Sequence, residues 1–215
     1  NSFYKCLPKE DQLMALMLIE VGLRKEELLQ LTGDMIKSMK PTKSQKSYYL
    51  LLDARKMKIK FNKSRQVIVS SILRTKLLKH LNSKKSLKYK AKFMLKNPSF
   101  NDENIYLFIS NRGNKFSTDK LNKSFHKARK LSGSPLEHES CIAPHQLRHF
   151  YASHFIFNKE NDGANMESAY IYLSERLGHS CVDVTKKYYV KVISRIKEQE
   201  DVEKYSEQFI SEFLY

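Results

Sequence analysis

Cysteine is scarce in this sequence and long hydrophobic runs are missing, and both absences exclude classes of protein. The three cysteines, Cys6, Cys141 and Cys181, lie far apart, form no CxxC pair and are odd in number. Neither a zinc ribbon nor a disulfide framework is therefore indicated, and we expect a reducing, cytoplasmic setting. No apolar run approaches the roughly 20 residues that span a membrane. The first residues, NSFYKCLPKED, contain no hydrophobic stretch of a signal peptide.

Acidic side chains are scarce relative to basic ones. The 215 residues include 39 Lys and Arg against 23 Asp and Glu, which gives a formal net charge of +16. A basic surface binds polyanions because their counterions are released, so we expect a nucleic-acid partner. An anionic membrane surface or a lysine-rich surface that only aids solubility are the alternatives. The hydrophobic fraction, 41%, is ordinary for a folded chain.

The hydrophobic pattern predicts a mainly helical protein with one small antiparallel sheet, an α+β fold. Helical spacing and end signals predict helices over 7–22, 25–31, 72–81, 117–131, 144–157 and 166–177. Three short runs, SYYLLLDA, KMKIKF and RQVIVS, predict three strands between residues 47 and 70, with a basic tip at the turn NKS. The lysine-rich stretch 82–104 is predicted to be a loop with an irregular helix. No linker divides the chain, so residues 1–215 are predicted to form one domain.

The segment HQLRH places several nitrogen-bearing side chains at the start of a predicted helix. His145 and His149 have the i,i+4 spacing of two zinc ligands, but the glutamate of HExxH is missing and Arg148 would repel a cation. An anion fits better, because a helix N-terminus attracts negative charge and arginine binds two phosphate oxygens at once. We therefore predict a phosphate site, with no metal and no cofactor.

Several segments together resemble the tyrosine recombinase (phage integrase) family, in its catalytic domain. They are GLRKEEL (22–28), the hairpin segment KFNKSR (60–65), NIYLFISNRGNKFST (104–118), HQLRH (145–149) and LGHSCVDVTKKYY (177–189). The order of the motifs and a tyrosine nine residues after the histidine of LGH both match. The resemblance covers most of the chain and implies the fold of the DNA breaking-rejoining enzymes.

The resemblance implies a role for each matching residue. Arg24 and Arg148 would bind the non-bridging oxygens of the scissile phosphate. His145 would accept or donate a proton, and His179 would hydrogen-bond the phosphate. Tyr188 would be the nucleophile, because it lies nine residues after His179.

The basic hairpin would supply the general acid for the leaving 5′ oxygen. KFNKSR resembles the lysine-bearing hairpin of the family, so Lys60 is the residue of choice, with Lys63 and Lys58 as alternatives. Lys58, Lys63 and Arg65 are also expected to bind DNA. Tyr189 is the alternative nucleophile.

The implied activity is site-specific recombination of double-stranded DNA through a 3′-phosphotyrosine, without metal or ATP. Integration or excision of a mobile element, or dimer resolution, would be the role, in a bacterium, phage or mobile element. Four protomers on two DNA sites are expected, with monomers or dimers in the absence of DNA, and the N-terminal core-binding domain is absent from this chain. Residues 190–215 either dock on a neighbouring protomer, as the resemblance implies, or pack on the core of their own protomer. A type IB topoisomerase-like enzyme and a catalytically inactive basic DNA-binding accessory protein are the alternatives.

Overall fold

The structure, a computed structural model, describes residues 3–101, 104–133 and 142–186. Its helices are α1 (Phe3–Cys6), α2 (Lys9–Val21), α3 (Lys25–Leu28), α4 (Gly33–Lys37), α5 (Ser71–Leu81), α6 (Lys84–Lys96), α7 (Thr118–Ser132), α8 (Pro144–Asn161) and α9 (Met166–Leu177). Residues 182–186 are also helical. The strands are β1 (Lys40–Pro41), β2 (Ser47–Leu52) and β3 (Arg65–Ser70), paired antiparallel in that order. The mainly helical fold with a small antiparallel sheet is thus confirmed.

One predicted strand is wrong. Residues 56–61 form no strand, and β1 supplies the third strand instead, with Lys40 opposite Tyr49. The side-chain amide of Gln30 hydrogen-bonds the backbone of Lys58 in place of a neighbouring strand. Its Oε1 accepts from the Lys58 N–H at 2.7 Å, and its Nε2 donates to the Lys58 carbonyl at 3.1 Å. Phe61, with φ of 66°, then turns the chain away from an extended path.

The alternating pattern that predicted this strand is nevertheless real. Met57 and Ile59 are buried, while Lys58 and Lys60 between and after them are exposed. The same alternation arises in an irregular segment because its apolar side chains anchor it to the core. Alternation alone therefore does not distinguish such a segment from a strand.

Three of the helix predictions require correction. The helix predicted over 25–31 ends at Leu28, and a separate short helix, α4, begins at Gly33, where the Thr32 side chain accepts from the Met35 N–H. The stretch 82–104 contains a regular helix, α6, capped by the Ser83 side chain. α8 continues to Asn161, so only residues 162–165 connect it to α9.

The core of the molecule is built around α2. Its side chains Met14, Met17 and Leu18 are fully buried, and the helix packs against α8. Gly22 ends α2 in the left-handed conformation, with φ of 70°, and the ring of Tyr151 on α8 lies where a Cβ would be. Because only glycine fits this approach, the turn that carries Arg24 comes directly against α8. α9 packs on α8 and on β3.

No helix in the described parts of the chain has both the length and the apolar character that crossing a membrane requires.

Candidate active site

Five of the six residues that the resemblance assigns to catalysis line a single cleft of about 470 Å³. They are Arg24, Lys60, His145, Arg148 and His179. His149 lines the same cleft. The sixth residue, Tyr188, lies outside the described residues, as do Tyr189 and the segment 190–215. The structure therefore brings together the motif residues that it describes, although α3, the hairpin, α8 and the end of α9 are distant in sequence.

Three consecutive carbonyls at the C-terminal end of α9 each accept a hydrogen bond from a different arginine. The pairs are Arg65 Nε with Arg176 O at 2.8 Å, Arg148 Nη2 with Leu177 O at 2.6 Å, and Arg24 Nη2 with Gly178 O at 3.0 Å. The last carbonyls of a helix lack intrahelical partners and form the negative end of its dipole. The end of α9 is thus a site for cations, and three guanidinium groups occupy it.

Arg148 forms the buried wall of the cleft. Its side chain lies on the first turns of α8, and only 4% of the residue is exposed. Besides the bond to Leu177, its Nη1 donates to the Gly22 carbonyl at 2.5 Å. The guanidinium plane is therefore fixed between the turn after α2 and the end of α9, which leaves little freedom to rearrange when an anion binds.

Glu27 is a site residue to which the sequence analysis assigned no role. It is 1% exposed and accepts from the Arg24 backbone N–H (2.9 Å), from Arg24 Nη1 (2.9 Å) and from Arg65 Nη2 (2.6 Å). Burial opposes its ionisation, but the hydrogen bonds and charges of Arg65 and Arg24 outweigh burial, so the pKa of Glu27 lies below its ordinary value. The spacing from Arg24 to Glu27 is that of a helix capping box, which was the available signal.

The three hairpin lysines differ in position, although all are exposed. Lys60 lines the cleft together with Arg24 and Arg148. Lys58 lines an adjoining groove of about 740 Å³, which shares Arg24 and Lys60 with the cleft and extends to the start of α7. Lys63 faces a separate depression beside β3. Of the three, Lys60 is therefore the one placed to reach a group held by the arginines.

Arg65 was expected to bind DNA from the surface of the hairpin, but it is buried. It is 8% exposed, and its guanidinium is bound to Glu27 and to the Arg176 carbonyl. The two-residue period of the predicted strand was the available signal, because it places Arg65 on the same face of β3 as the buried Val67 and Val69.

His179 is held by a hydroxyl group that the sequence analysis did not identify. Its Nδ1 lies 2.7 Å from Oγ1 of Thr185, which is fully buried. Burial, followed by the charges of Arg148 and Arg24, lowers the pKa of His179 to about 4. The ring is therefore neutral near pH 7. When the threonine hydroxyl donates to Nδ1, the ring proton resides on Nε2, which can then donate to a phosphate oxygen.

His145 and His149 form a pair on the exposed side of α8. Their Nε2 atoms are 2.6 Å apart, so one of them must carry a proton and the other accept it. Burial and neighbouring positive charge lower the pKa of both rings, that of His149 to about 4. The described residues contain no group of three or more His, Cys, Asp or Glu side chains suited to a metal ion.

Comparison with known proteins identifies both relatives and structural neighbours. Residues 1–194 match the model of the Phage integrase family. Tyrosine recombinase XerC of Thermodesulfovibrio yellowstonii (strain ATCC 51303 / DSM 11347 / YP87) is 32% identical over 133 residues, which are 62% of this chain and 38% of that protein. The chain thus spans well under half the length of this curated relative.

Known structures share the fold at low sequence identity. XerH site-specific recombinase bound to palindromic difH substrate is 22% identical, with a TM-score of 0.58 over 95% of this chain and 48% of that one. XerA recombinase is 19% identical, with a TM-score of 0.54 over 92% and 62%. Tn1549 transposon integrase with transposon right end DNA is 16% identical, with a TM-score of 0.54 over 87% and 58%. The predicted fold of a tyrosine recombinase catalytic domain is confirmed.

The lowered histidine pKa values predict a pH-dependent stability. The unfolded chain takes up protons on histidine near pH 6.5, whereas folded His179 and His149 stay neutral down to about pH 4. The free energy of unfolding should therefore fall as the pH is lowered from about 7 to about 5.5, where carboxylates remain ionised. Urea unfolding of the wild type and His179→Gln at both pH values measures this, and the variant should lose less stability.

His126→Gln is the matched control, because His126 is an exposed histidine on α7. This variant should keep the pH dependence of the wild type. An unchanged pH dependence in His179→Gln would show that His179 is not held neutral by the fold.

Proposed function

The chain belongs to the phage integrase family, and on this premise we propose that the protein is a site-specific recombinase that cleaves and rejoins double-stranded DNA through a 3′-phosphotyrosine. The observation that carries the proposal is the cleft in which two arginines, a lysine and histidines from four separate parts of the chain meet. The net charge of +16 supports a DNA partner. The XerH and Tn1549 integrase structures include DNA, which agrees with that partner.

Arg24 and Arg148 would stabilise the charge that develops on the non-bridging oxygens during displacement at phosphorus. A fixed donor in a partly desolvated cleft stabilises such charge without reorganising during the reaction. The Arg148 guanidinium is already fixed by two carbonyls, and that of Arg24 by Glu27 and Gly178. Neutral His179 would add a third donor through Nε2.

Tyr188 would attack the phosphorus with its phenolic oxygen. In the sequence Tyr188 follows two positions after Lys186, the last described residue, and four positions after Val184, which lines the cleft. A bond forms between the tyrosine oxygen and phosphorus, and the bond from phosphorus to the 5′ oxygen breaks. The phenolic proton would pass to His145 and the leaving oxygen would take a proton from Lys60.

Rejoining would be the reverse of the same step. A 5′ hydroxyl from a second strand attacks the phosphotyrosine, the tyrosine leaves, and the proton transfers run backwards. Because one phosphoester replaces another at each step, the bond energy is conserved and ATP is not needed. Exchange between two DNA sites would require several protomers, and a tetramer with the segment 190–215 docked on a neighbour is the arrangement that we propose.

Covalent trapping tests the nucleophile. A DNA duplex nicked close to the cleavage site loses the 5′ hydroxyl fragment, so the wild-type protein should accumulate a covalent complex that survives denaturation. Tyr188→Phe should form none, whereas Tyr189→Phe should form it as the wild type does. Equal trapping by Tyr188→Phe would refute the assignment, and no trapping by the wild type would favour an inactive DNA-binding protein.

Replacing the leaving oxygen with sulfur tests Lys60. A thiolate leaves without a proton, because thiols ionise near pH 8.5, so a missing general acid no longer matters. Lys60→Ala should cleave ordinary DNA about 10² to 10⁴ times more slowly and the sulfur-containing DNA at nearly the wild-type rate.

Lys63→Ala and Lys58→Ala serve as controls and should cleave both substrates at close to the wild-type rate when DNA is saturating. If Lys63→Ala shows the defect and its rescue instead, the general acid is Lys63. A Lys60→Ala defect of equal size on both substrates would mean that Lys60 does not protonate the leaving group.

A further inference from the structure

Arg65 is a buried cation that does not line the catalytic cleft, but its two hydrogen-bond partners, Glu27 and the C-terminal end of α9, also bind Arg24, which does. It is the first residue of β3, five positions after Lys60, and its side chain is 5% exposed. Nη2 donates to Glu27 and Nε donates to the Arg176 carbonyl. Nη1 is buried and has no hydrogen-bond partner among the described residues. A buried arginine with an unsatisfied nitrogen is unfavourable for stability, so stability alone does not account for it.

The Arg24 guanidinium donates hydrogen bonds to the Glu27 carboxylate and to the end of α9, and Arg65 binds both of these. Arg24 Nη1 donates to Oε1 of Glu27, and Arg65 binds Oε2 of the same carboxylate. Arg24 Nη2 donates to the Gly178 carbonyl at the end of α9. Arg65 binds the Arg176 carbonyl two residues earlier on the same helix end.

Gly178 also packs directly on Arg65. A Cβ at Gly178 would lie 3.0 Å from Nη1 and 3.2 Å from Cζ of Arg65. The guanidinium plane therefore limits where the Gly178 carbonyl can lie. Removing Arg65 would take one anchor from the Glu27 carboxylate and one from the end of α9 at the same time, so both partners of the Arg24 guanidinium would be held less firmly.

We propose that Arg65 is a positioning residue. It binds the Glu27 carboxylate and the end of α9, which both accept hydrogen bonds from Arg24, and so aligns Arg24 with the scissile phosphate without contacting DNA. The proposal rests on the proposed recombinase function. It replaces the expectation that Arg65 is a DNA-binding residue of the hairpin, since a side chain that is 5% exposed and bound on two sides offers little surface to a phosphate.

The test separates the cleavage step from DNA binding. Arg65→Lys and Arg65→Met are made in the full protein, and the rate of covalent-complex formation is measured at saturating nicked DNA, well below the melting temperature. Misplacement of a catalytic group by about 1 Å can slow a reaction by about 10²-fold, so we expect a loss of that order in both variants. Lysine keeps the charge but cannot bind both acceptors with a rigid fork.

DNA affinity should respond little in the same variants. The Kd should change by less than about 3-fold, and its salt dependence should stay as in the wild type. A lost phosphate contact would instead weaken binding and reduce the salt slope by about 1. That result, or cleavage within about 2-fold of the wild type in a folded variant, would overturn the proposal.

Arg55→Met is the matched control. Arg55 lies in the loop between the same two strands, but its side chain is 87% exposed and pairs with Asp53 at 2.8 Å. Its removal takes one positive charge from the same region without touching the cleft. Arg55→Met should cleave at the wild-type rate.

If the wild type does not cleave DNA, the proposed function is refuted but the positioning role is not. A measurement without DNA then tests the positioning role by itself. The Nε–Hε NMR signal of Arg24, identified by its loss in Arg24→Lys, should shift or broaden in Arg65→Lys and remain in place in Arg55→Met. An unchanged Arg24 signal in folded Arg65→Lys would refute the positioning role. If Arg65→Met does not fold, Arg65→Lys alone decides.

Discussion

The cation-binding end of α9 is the interaction on which the site depends. Three guanidinium groups repel one another, yet three successive carbonyls and the buried Glu27 carboxylate hold them together. Each such bond to a charged group contributes roughly 1.5–3 kcal/mol, and the helix dipole adds to it. Because the three arginines come from the turn after α2, from β3 and from α8, this helix end also fixes how those elements meet.

The remaining features of the site follow from that cluster of positive charge. Partial burial, followed by neighbouring positive charge, lowers the pKa of His179 and His149 and keeps both rings neutral, so these rings act as hydrogen-bond donors and acceptors rather than as further cations. Thr185 then orients His179. Lys60, the exposed cation at the cleft, remains in contact with solvent at the hairpin turn. The arrangement suits an anion that arrives from outside and meets donors that are already in place.

The sequence predicted more of the site than of the supporting structure. The resemblance of the motifs to the tyrosine recombinase family led to the expectation that Arg24, His145, Arg148 and His179 lie in one place, whereas the residues alone brought together only His145 and Arg148 at the start of one helix. The sequence could not show that residues 56–61 form no strand. Gln30, whose side chain binds this segment in place of a neighbouring strand, is distant in sequence. The bonds of Arg65 to Glu27 and to the end of α9 depend equally on contacts between distant segments, which composition and periodicity do not report.

We propose that α9 holds Arg24 and Arg148 so that both bind one phosphate. A crystal structure of the Tyr188→Phe protein on intact DNA tests it most directly. We expect one backbone phosphate within hydrogen-bond distance of both guanidinium groups, with the carbonyls of Leu177 and Gly178 still bound to them. Arg24 and Arg148 on different phosphates, or a DNA backbone that bypasses the cleft, would contradict it.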